Sequence, residues 1–447
     1  EEEEEEELTQ QRKTSSLQGT SSRRLARLWA RSALHWEFRM SGTASSPMTG
    51  IASCSIESRL RKALGRCSSS TACSTTAAVR THGEEDHSWD EWRCCIVLFF
   101  LSFFSFGFFI GWIAGTSSLA TAAHESGYDV FLGDFRGSSP REHVDPCISS
   151  DPTRFYAYSI DELGRQDLPT MVDALYALKQ REQNLHASPN TQVTLQGVTH
   201  STGGAAAFLY LMSGHLEGTH RQEQPFSQLL ALAPAGYHRP RERLPPMLRI
   251  FLAVDRALRG PLLRYTPGIH IPSRLFRWTF FKVLADVRTN PAFAKLSSTI
   301  LERLFDNDRS DWLEAMALLH AAGEEGPAAA VHVLVHFRQL FEANAFRTFE
   351  TFDRGSNPFR VRRKGRGLAI DLGNFFNLIS SCRYALFAGE SDVVVRATDV
   401  ASGYFEKLSA ANADVRLYHY PCSHLDFTLA PPPELRVKVL ELLASCE

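Results

Sequence analysis

The sequence predicts an α/β fold in which a mostly parallel sheet carries helices on both faces. Residues 192–212 change from a strand-like run to a helical run rich in Ala, Leu and Phe, with a serine at the junction. Two later runs, 383–392 and 415–424, have the pattern of a buried strand followed by a turn, the first ending in a carboxylate and the second in a histidine. Catalytic groups gather beyond the carboxyl ends of strands in open α/β sheets, so this pattern predicts an active site at one sheet edge.

Ser201 is the candidate nucleophile. It lies in the pentapeptide THSTG (199–203), which is similar to the G-x-S-x-G pattern of a nucleophile elbow, a sharp strand-to-helix turn that presents a serine hydroxyl. The positions two before and two after the serine must be small, because the helix packs tightly on the strand. Gly203 and Gly204 satisfy this on one side, whereas Thr199 is bulkier than the glycine it replaces. The pentapeptide alone leaves open a plain Ser-Gly turn without catalytic function.

Asp392 and His424 complete a candidate catalytic triad. In α/β-hydrolases the triad follows the order serine, acid, histidine along the chain, and this sequence keeps that order. We expect His424 to take the serine proton as general base. We expect Asp392 to hold the imidazole tautomer and to stabilise the imidazolium.

Further motifs follow one another from about residue 117 to the C-terminus. They are GYDVFLGDFRG (127–137), FYAYSIDELGRQDLP (155–169), LALAPA (230–235), FDRG (352–355), GESD (389–392) and HLDF (424–427). In sequence and order these motifs resemble the acid lipase family, which includes gastric lipase and lysosomal acid lipase. The resemblance implies an α/β-hydrolase fold, with Ser201 as nucleophile, Asp392 as acid and His424 as base.

Neighbouring polar residues have structural interpretations. Asp399 lies near the acid, but the resemblance assigns that role to the first aspartate of its motif. We expect Asp134 and Arg136 to brace the turn after their strand, and we expect the other two aspartates to be structural. We expect His200 to pack beside the serine, and we expect the remaining histidines to be structural rather than metal ligands. These residues are Asp134, Arg136, Asp167, Asp426, His200, His332, His336 and His419.

The oxyanion hole departs from the family pattern. One donor would be the backbone N–H of Thr202, the residue after the nucleophile. The second comes, in the family, from a His-Gly pair that would fall about 25 residues before Gly127, but residues 95–107 contain no such pair. A strand over Ile96–Phe100 would place Leu101 and Ser102 where the pair belongs. Loss of one oxyanion donor typically lowers the rate by about 10²–10³-fold, so a catalytically impaired protein is an alternative.

The first 114 residues differ from the rest. Residues 1–93 begin with seven glutamates and continue with Ser, Thr and Arg, a composition that favours a disordered region over a transit peptide. Residues 94–114 are uncharged and apolar, and a membrane-spanning helix needs about 20 such residues. Three interpretations stay open for this segment: a transmembrane anchor, a buried strand and loop of the sheet, or translated non-coding sequence.

The remaining chain predicts one large domain with an insertion. Residues 115–235 and 327–447 form the two parts of the hydrolase core, and 236–326 form an inserted cap or lid. The cap carries amphipathic runs with interleaved arginines, and these runs suit either an anionic lipid surface or ordinary packing on the core. The formal net charge of −2 does not indicate nucleic-acid binding. The nine cysteines show no metal-binding spacing, and neither a cofactor nor a metal is implied.

The sequence therefore predicts a serine hydrolase of neutral-lipid esters, such as triacylglycerols or sterol esters. Its expected partners are the lipid ester and a membrane or lipid-droplet surface, and the oligomeric state is left open. The expected locations are a membrane, the endomembrane system, the lysosome or the secreted space. The alternatives are an impaired member that binds lipid or protein, and an acyltransferase on the same fold.

Overall fold

The computed structural model describes residues 94–101, 119–137, 143, 145–185, 193–216, 225–238, 329–350, 352–353, 362–363, 370–429 and 431–445, with isolated positions between 253 and 290. The predicted region 1–93 and nearly all of the predicted cap lie outside these residues. The chain divides into two units, and the larger unit, 74–81, 89–143 and 147–447, holds all the described residues except 145–146.

The larger unit is built on a six-stranded sheet in which every pairing is parallel. Its strands are β1 (Cys94–Leu101), β2 (Asp129–Asp134), β3 (Thr194–Ser201), β4 (Gln228–Leu232), β9 (Arg383–Gly389) and β10 (Val415–Tyr420), in the spatial order β2-β1-β3-β4-β9-β10. Two short antiparallel pairs are formed by β5 (Gly268–Ile269) with β6 (Ala329–Ala330) and by β7 (Phe352–Asp353) with β8 (Arg362–Arg363). Parallel strands covered on both faces are apolar along their length, which explains why all five residues of β4 are buried.

Helices connect and cover these strands. The described residues form α1 (Leu119–Glu125), α2 (Pro146–Ser150), α3 (Pro152–Phe155), α4 (Ile160–Glu162), α5 (Leu168–Leu185), α6 (Thr202–Leu216), α7 (Val331–Ala343), α8 (Ala397–Val400), α9 (Glu406–Ala410), α10 (Asp426–Leu429) and α11 (Pro433–Ala444). Single π-helical turns, Leu163–Asp167 and Ala401–Phe405, join α4 to α5 and α8 to α9, and two 3₁₀ turns occupy Leu372–Asn374 and Phe376–Ile379.

The helices cover both faces of the sheet, as predicted. Successive residues of a strand point to opposite faces of the sheet, so the side chains of Arg383 and Tyr384 in β9 lie on different faces. The Tyr384 ring stacks on Phe208 of α6, with centroids 5.7 Å apart. On the other side, Arg383 Nη1 donates to the carbonyl of Ser445, the residue after α11, at 3.0 Å. The core on the α6 side is continued by Tyr404, whose ring lies 4.5 Å from that of Phe208.

The apolar segment 94–114 begins as a strand, and its transmembrane interpretation is therefore corrected. Cys94–Leu101 form β1, which pairs with β2 on one side and β3 on the other. These eight residues cannot belong to a membrane-crossing helix, so the strand interpretation replaces the anchor; residues 102–114 lie outside the described part. Among the described residues, none of the helices has the length and apolar character that a membrane span requires.

Arg136 and Asp167 brace the turn that follows β2. The Arg136 backbone N–H donates to Asp167 Oδ2 at 3.1 Å, its Nε donates to Oδ1 at 2.7 Å, and its Nη2 forms an ion pair with the same oxygen. The Asp167 side chain is fully buried. Burial raises the pKa of Asp167 above its usual value, although Arg136 acts in the opposite direction. The bracing role predicted for Arg136 is thus confirmed, whereas the side chain of Asp134 lies outside the described set.

Replacing Arg136 by Met is expected to lower the free energy of unfolding by about 3 kcal/mol at pH 7.5, because it leaves a buried carboxylate without its charge partner. The folded-state pKa of Asp167 is already raised, and it rises further without Arg136. The cost is therefore largest above that pKa and shrinks as the pH falls through it and the carboxyl group takes up a proton. Urea unfolding at pH 7.5 and pH 5 measures this difference.

The matched control is Arg154→Met. Arg154 pairs with Asp151, but both side chains are well exposed, and exposed ion pairs contribute about 0–1 kcal/mol. The control should therefore change stability little at either pH. An equal loss of stability at both pH values in the Arg136 variant would contradict the role given to the buried carboxylate.

Candidate functional site

Ser201 lies at a strained junction between strand and helix. It is the last residue of β3, and α6 begins at the next residue. Its φ of 53° lies in the left-handed region, which costs energy for a residue with a Cβ and is found where tight turns or functional sites require it. The Ser201 carbonyl accepts a hydrogen bond from the Ala235 N–H at 2.9 Å, which ties the turn to the segment after β4. This is the geometry expected of a nucleophile elbow.

Gly204 allows the first turn of α6 to lie against the segment that follows β4. A Cβ at position 204 would lie 2.7 Å from Pro234 Cβ, a distance that real contacts do not reach, and 3.6 Å from Thr199 Oγ1. Thr199 itself is fully buried. The threonine that replaces the usual first glycine is thus accommodated, while the steric requirement for a glycine acts at position 204.

The structure brings the three predicted residues into one hydrogen-bonded chain. The Ser201 hydroxyl lies 2.8 Å from His424 Nε2, and His424 Nδ1 lies 2.7 Å from Asp392 Oδ2. Asp392 follows β9 and His424 follows β10, so both stand at the same sheet edge as the end of β3. All three side chains are buried. Chemically, this arrangement can pass the serine proton to an imidazole whose other nitrogen faces a carboxylate.

The second oxygen of Asp392 fixes the orientation of the carboxylate. Oδ1 accepts hydrogen bonds from the backbone N–H groups of Val394 and Val395, both at 2.8 Å. The turn that carries Asp392 and the turn that carries His424 are also joined by their backbones, because the Glu390 N–H donates to the Tyr420 carbonyl at 2.9 Å. These hydrogen bonds leave Oδ2 of Asp392 directed at His424.

The other aspartates at this edge hold turns instead of the imidazole. Asp426 Oδ2 accepts from the Ser423 N–H at 2.8 Å and from its hydroxyl at 3.0 Å, which shapes the turn that carries His424. Asp399 forms a two-point contact with Arg396, at 2.9 and 3.2 Å. Their structural interpretation agrees with these contacts.

His200 does more than the packing predicted for it. Its Nε2 lies 2.9 Å from the backbone carbonyl of His424, a contact between residues 224 positions apart, and the two imidazole centroids are 4.7 Å apart. Burial lowers the pKa of His200 well below its usual value, so the ring is neutral and donates its Nε2 proton to the carbonyl. The only sequence signal for this residue was its place in the elbow.

The oxyanion side of the site is described in part. Thr202 is the first residue of α6, and the first backbone N–H groups of a helix have no acceptor within it. Leu101, the last residue of β1, is paired in register with Ser201. The end of β1, after which the second donor is expected, therefore lies at the level of the candidate nucleophile, but Ser102 lies outside the described residues.

The remaining histidines lie apart from this site in sequence. His336 lies on α7, where a helix was predicted, and it is buried. Its Nε2 lies 2.8 Å from the Arg347 carbonyl. Burial lowers the pKa of His336, which agrees with the structural role predicted for it. His419 is exposed on β10. Within the described ranges, no group of three or more His, Cys, Asp or Glu side chains is arranged to hold a metal.

Comparisons with known proteins point to lipases. The chain is 35% identical over 100 residues to gastric triacylglycerol lipase of Mus musculus, a match that covers 22% of this chain and 25% of that relative. It is 22% identical to lipase member N of Mus musculus over 335 residues, which cover 73% of each chain. The chain thus spans about a quarter of the length of gastric triacylglycerol lipase. No protein-family model matches the chain.

Two hydrolases are among the solved structures that match the chain. One is a monoacylglycerol lipase of Paleococcus ferrophilus, with 12% identity and a TM-score of 0.40 over 83% of this chain and 99% of the other. Another is a peroxisomal alpha-beta-hydrolase of Saccharomyces cerevisiae, with 13% identity and a TM-score of 0.40 over 83% and 89%. The sequence similarities therefore lie with gastric and related lipases. The parallel sheet and the strand-to-helix elbow at Ser201 agree with the α/β-hydrolase fold.

Proposed function

We propose that this protein is a serine hydrolase of carboxylic esters, with Ser201 as nucleophile, His424 as general base and Asp392 as the acid that orients it. The observation that carries the proposal is the continuous chain from Asp392 Oδ2 through His424 to the Ser201 hydroxyl, with steps of 2.7 and 2.8 Å. Such a contact between nucleophile and base, with the base oriented by a third group, is the geometric mark of an activated serine.

The proposed reaction has two stages. His424 Nε2 takes the Ser201 proton as Oγ attacks the ester carbonyl, and the backbone N–H of Thr202 donates to the oxyanion that forms. His424 then gives the proton to the leaving alcohol, which leaves an acyl group on Ser201. A water molecule, activated by the same imidazole, releases the carboxylic acid and restores the serine.

Lipid esters are the proposed substrate class. Gastric triacylglycerol lipase, a relative by sequence, is named for the hydrolysis of a neutral lipid. Two apolar side chains within the predicted cap, Leu275 and Val283, are 69% and 50% exposed, next to basic residues of the sequence. Exposed apolar groups beside basic ones suit a lipid surface. Triacylglycerols and sterol esters, and a secreted or lysosomal location, stay predictions of the resemblance.

Reaction with a fluorophosphonate probe tests the proposal. An activated serine attacks the phosphorus and expels fluoride, so the wild-type protein is expected to be labelled and Ser201→Ala is expected to lose all labelling. Ser126→Ala is the matched control, because Ser126 is exposed and its hydroxyl only donates to the Ala122 carbonyl within the described contacts. The control should be labelled like the wild type. Absence of labelling in a folded wild-type sample would contradict the proposal.

A catalytically impaired member that binds lipid or a protein is the second candidate. The observation that favours it is the missing His-Gly pair in residues 95–107, which leaves Thr202 as the one oxyanion donor assigned. Such a protein would react slowly with the probe and would hydrolyse p-nitrophenyl butyrate about 10²–10³-fold more slowly than a complete site. Binding of a fluorescent triacylglycerol analogue without its hydrolysis would support this alternative.

A further inference from the structure

We propose that His200 is a positioning residue that holds His424 in register with Ser201; this inference rests on the proposed function. His200 and Ser201 are consecutive in β3, and both reach His424. His200 Nε2 lies 2.9 Å from the His424 backbone carbonyl, and the Ser201 hydroxyl lies 2.8 Å from the His424 ring. The end of β3 therefore contacts His424 at two points, the backbone carbonyl and the imidazole ring.

This double contact fixes the distance that proton transfer depends on. Among the described contacts, further bonds at the histidine turn act at neighbouring residues, including the Tyr420 carbonyl, the Cys422 carbonyl and the Ser423 N–H and hydroxyl. The His200 bond acts on the backbone of His424 itself. Because its donor is covalently next to the nucleophile, a movement of His424 relative to Ser201 would stretch or break this bond.

The buried position of His200 keeps it a neutral donor. The side chain is 1% exposed, and its ring lies near those of His424 and Phe427, at centroid distances of 4.7 and 6.3 Å. A charged His200 at this distance would oppose the imidazolium that forms on His424 when it accepts the serine proton. A neutral N–H donor avoids that repulsion, and an amide side chain of suitable length could replace it.

Three substitutions separate positioning from packing. His200→Leu keeps an apolar side chain but has no donor, and His200→Gln carries an amide N–H that reaches about as far as imidazole Nε2. His200→Asn carries the same amide one bond shorter, so it cannot reach the carbonyl. We expect Leu and Asn to lower kcat for p-nitrophenyl butyrate by about 10–100-fold with little change in KM, because a shift of about 1 Å has effects of this size. Gln should stay within about threefold of the wild type.

A second readout does not require activity. The proton shared by His424 Nδ1 and Asp392 gives a far-downfield NMR resonance when that contact is held rigidly. We expect this resonance in the wild type and in His200→Gln, and we expect it to broaden or vanish in His200→Asn. Equal resonances and equal kcat in all variants would overturn the positioning role, as would a Leu variant that outperforms Gln.

The two proposals fail in distinguishable ways. A wild-type protein that shows the resonance but neither labelling nor hydrolysis contradicts the hydrolase function, and the NMR comparison of Gln with Asn then still decides the role of His200. If His200→Leu does not fold, the Gln and Asn variants, both neutral and polar, carry the comparison alone. A labelled, active wild type with indistinguishable Gln and Asn variants overturns the positioning proposal only.

Discussion

Replacing Ser201 or His424 by alanine is expected to lower kcat for ester hydrolysis by about 10⁶-fold, and replacing both should lower it no further. The reason lies in the 2.8 Å contact between the two side chains. Without the imidazole the hydroxyl keeps its proton, and without the hydroxyl the imidazole has nothing to activate for attack. The two residues therefore act as one unit, and their losses do not add.

The measurement is hydrolysis of p-nitrophenyl butyrate by the two single variants and the double variant, at equal concentrations of folded protein. His419→Ala serves as the matched histidine control, because His419 is exposed on β10 and has no part in the candidate triad. It should keep the wild-type kcat. Additive losses in the double variant would mean that Ser201 and His424 act separately, and the triad assignment would then fail.

Replacing Asp392 by Asn is expected to lower kcat by about 10⁴-fold, because it should put the imidazole proton on the wrong nitrogen. The Val394 and Val395 N–H groups both donate to the inner oxygen of Asp392, so an asparagine must keep its amide oxygen there. Its NH₂ group then faces His424 Nδ1 and demands a lone pair from it. The proton moves to Nε2, which can no longer accept the proton of Ser201.

The matched control for this prediction is Asp399→Asn. Asp399 is also buried and follows the same strand, but it contacts Arg396 rather than the imidazole. Asp399→Asn should lower the free energy of unfolding. Its kcat, calculated per molecule that the fluorophosphonate probe labels, should stay close to the wild type. A loss of about 10⁴-fold in the Asp399 variant, with a mild effect at Asp392, would reverse the assignment of the acid.

Several elements of the fold were predictable because local patterns were strong. The runs around residues 383–389 and 415–420 predicted β9 and β10, with an acid and a histidine in the turns that follow. The change from an apolar strand to a small-residue helix at Ser201 predicted the elbow, whose positive φ agrees with it. The resemblance also distinguished Asp392 from Asp399, and the contact of Asp392 with His424 agrees with that choice.

The segment 94–114 shows where a local pattern is ambiguous. A buried parallel strand is apolar on both faces, as a membrane helix is, so the hydrophobic run has no period that separates the two. The neighbouring strands distinguish the two interpretations, because β2 and β3 pair with Cys94–Leu101 from both sides. That information comes from residues up to 100 positions away in the sequence.

The sequence by itself determined the fold class, the order of the candidate triad and the strands that carry it, since these depend on residue type and spacing along the chain. Only the tertiary structure decided that Cys94–Leu101 belong to the sheet, that Gly204 makes the elbow possible against Pro234, and that His200 donates to His424. Each of these depends on a contact between segments far apart in sequence. Such contacts follow from packing of the whole sheet, which no local pattern encodes.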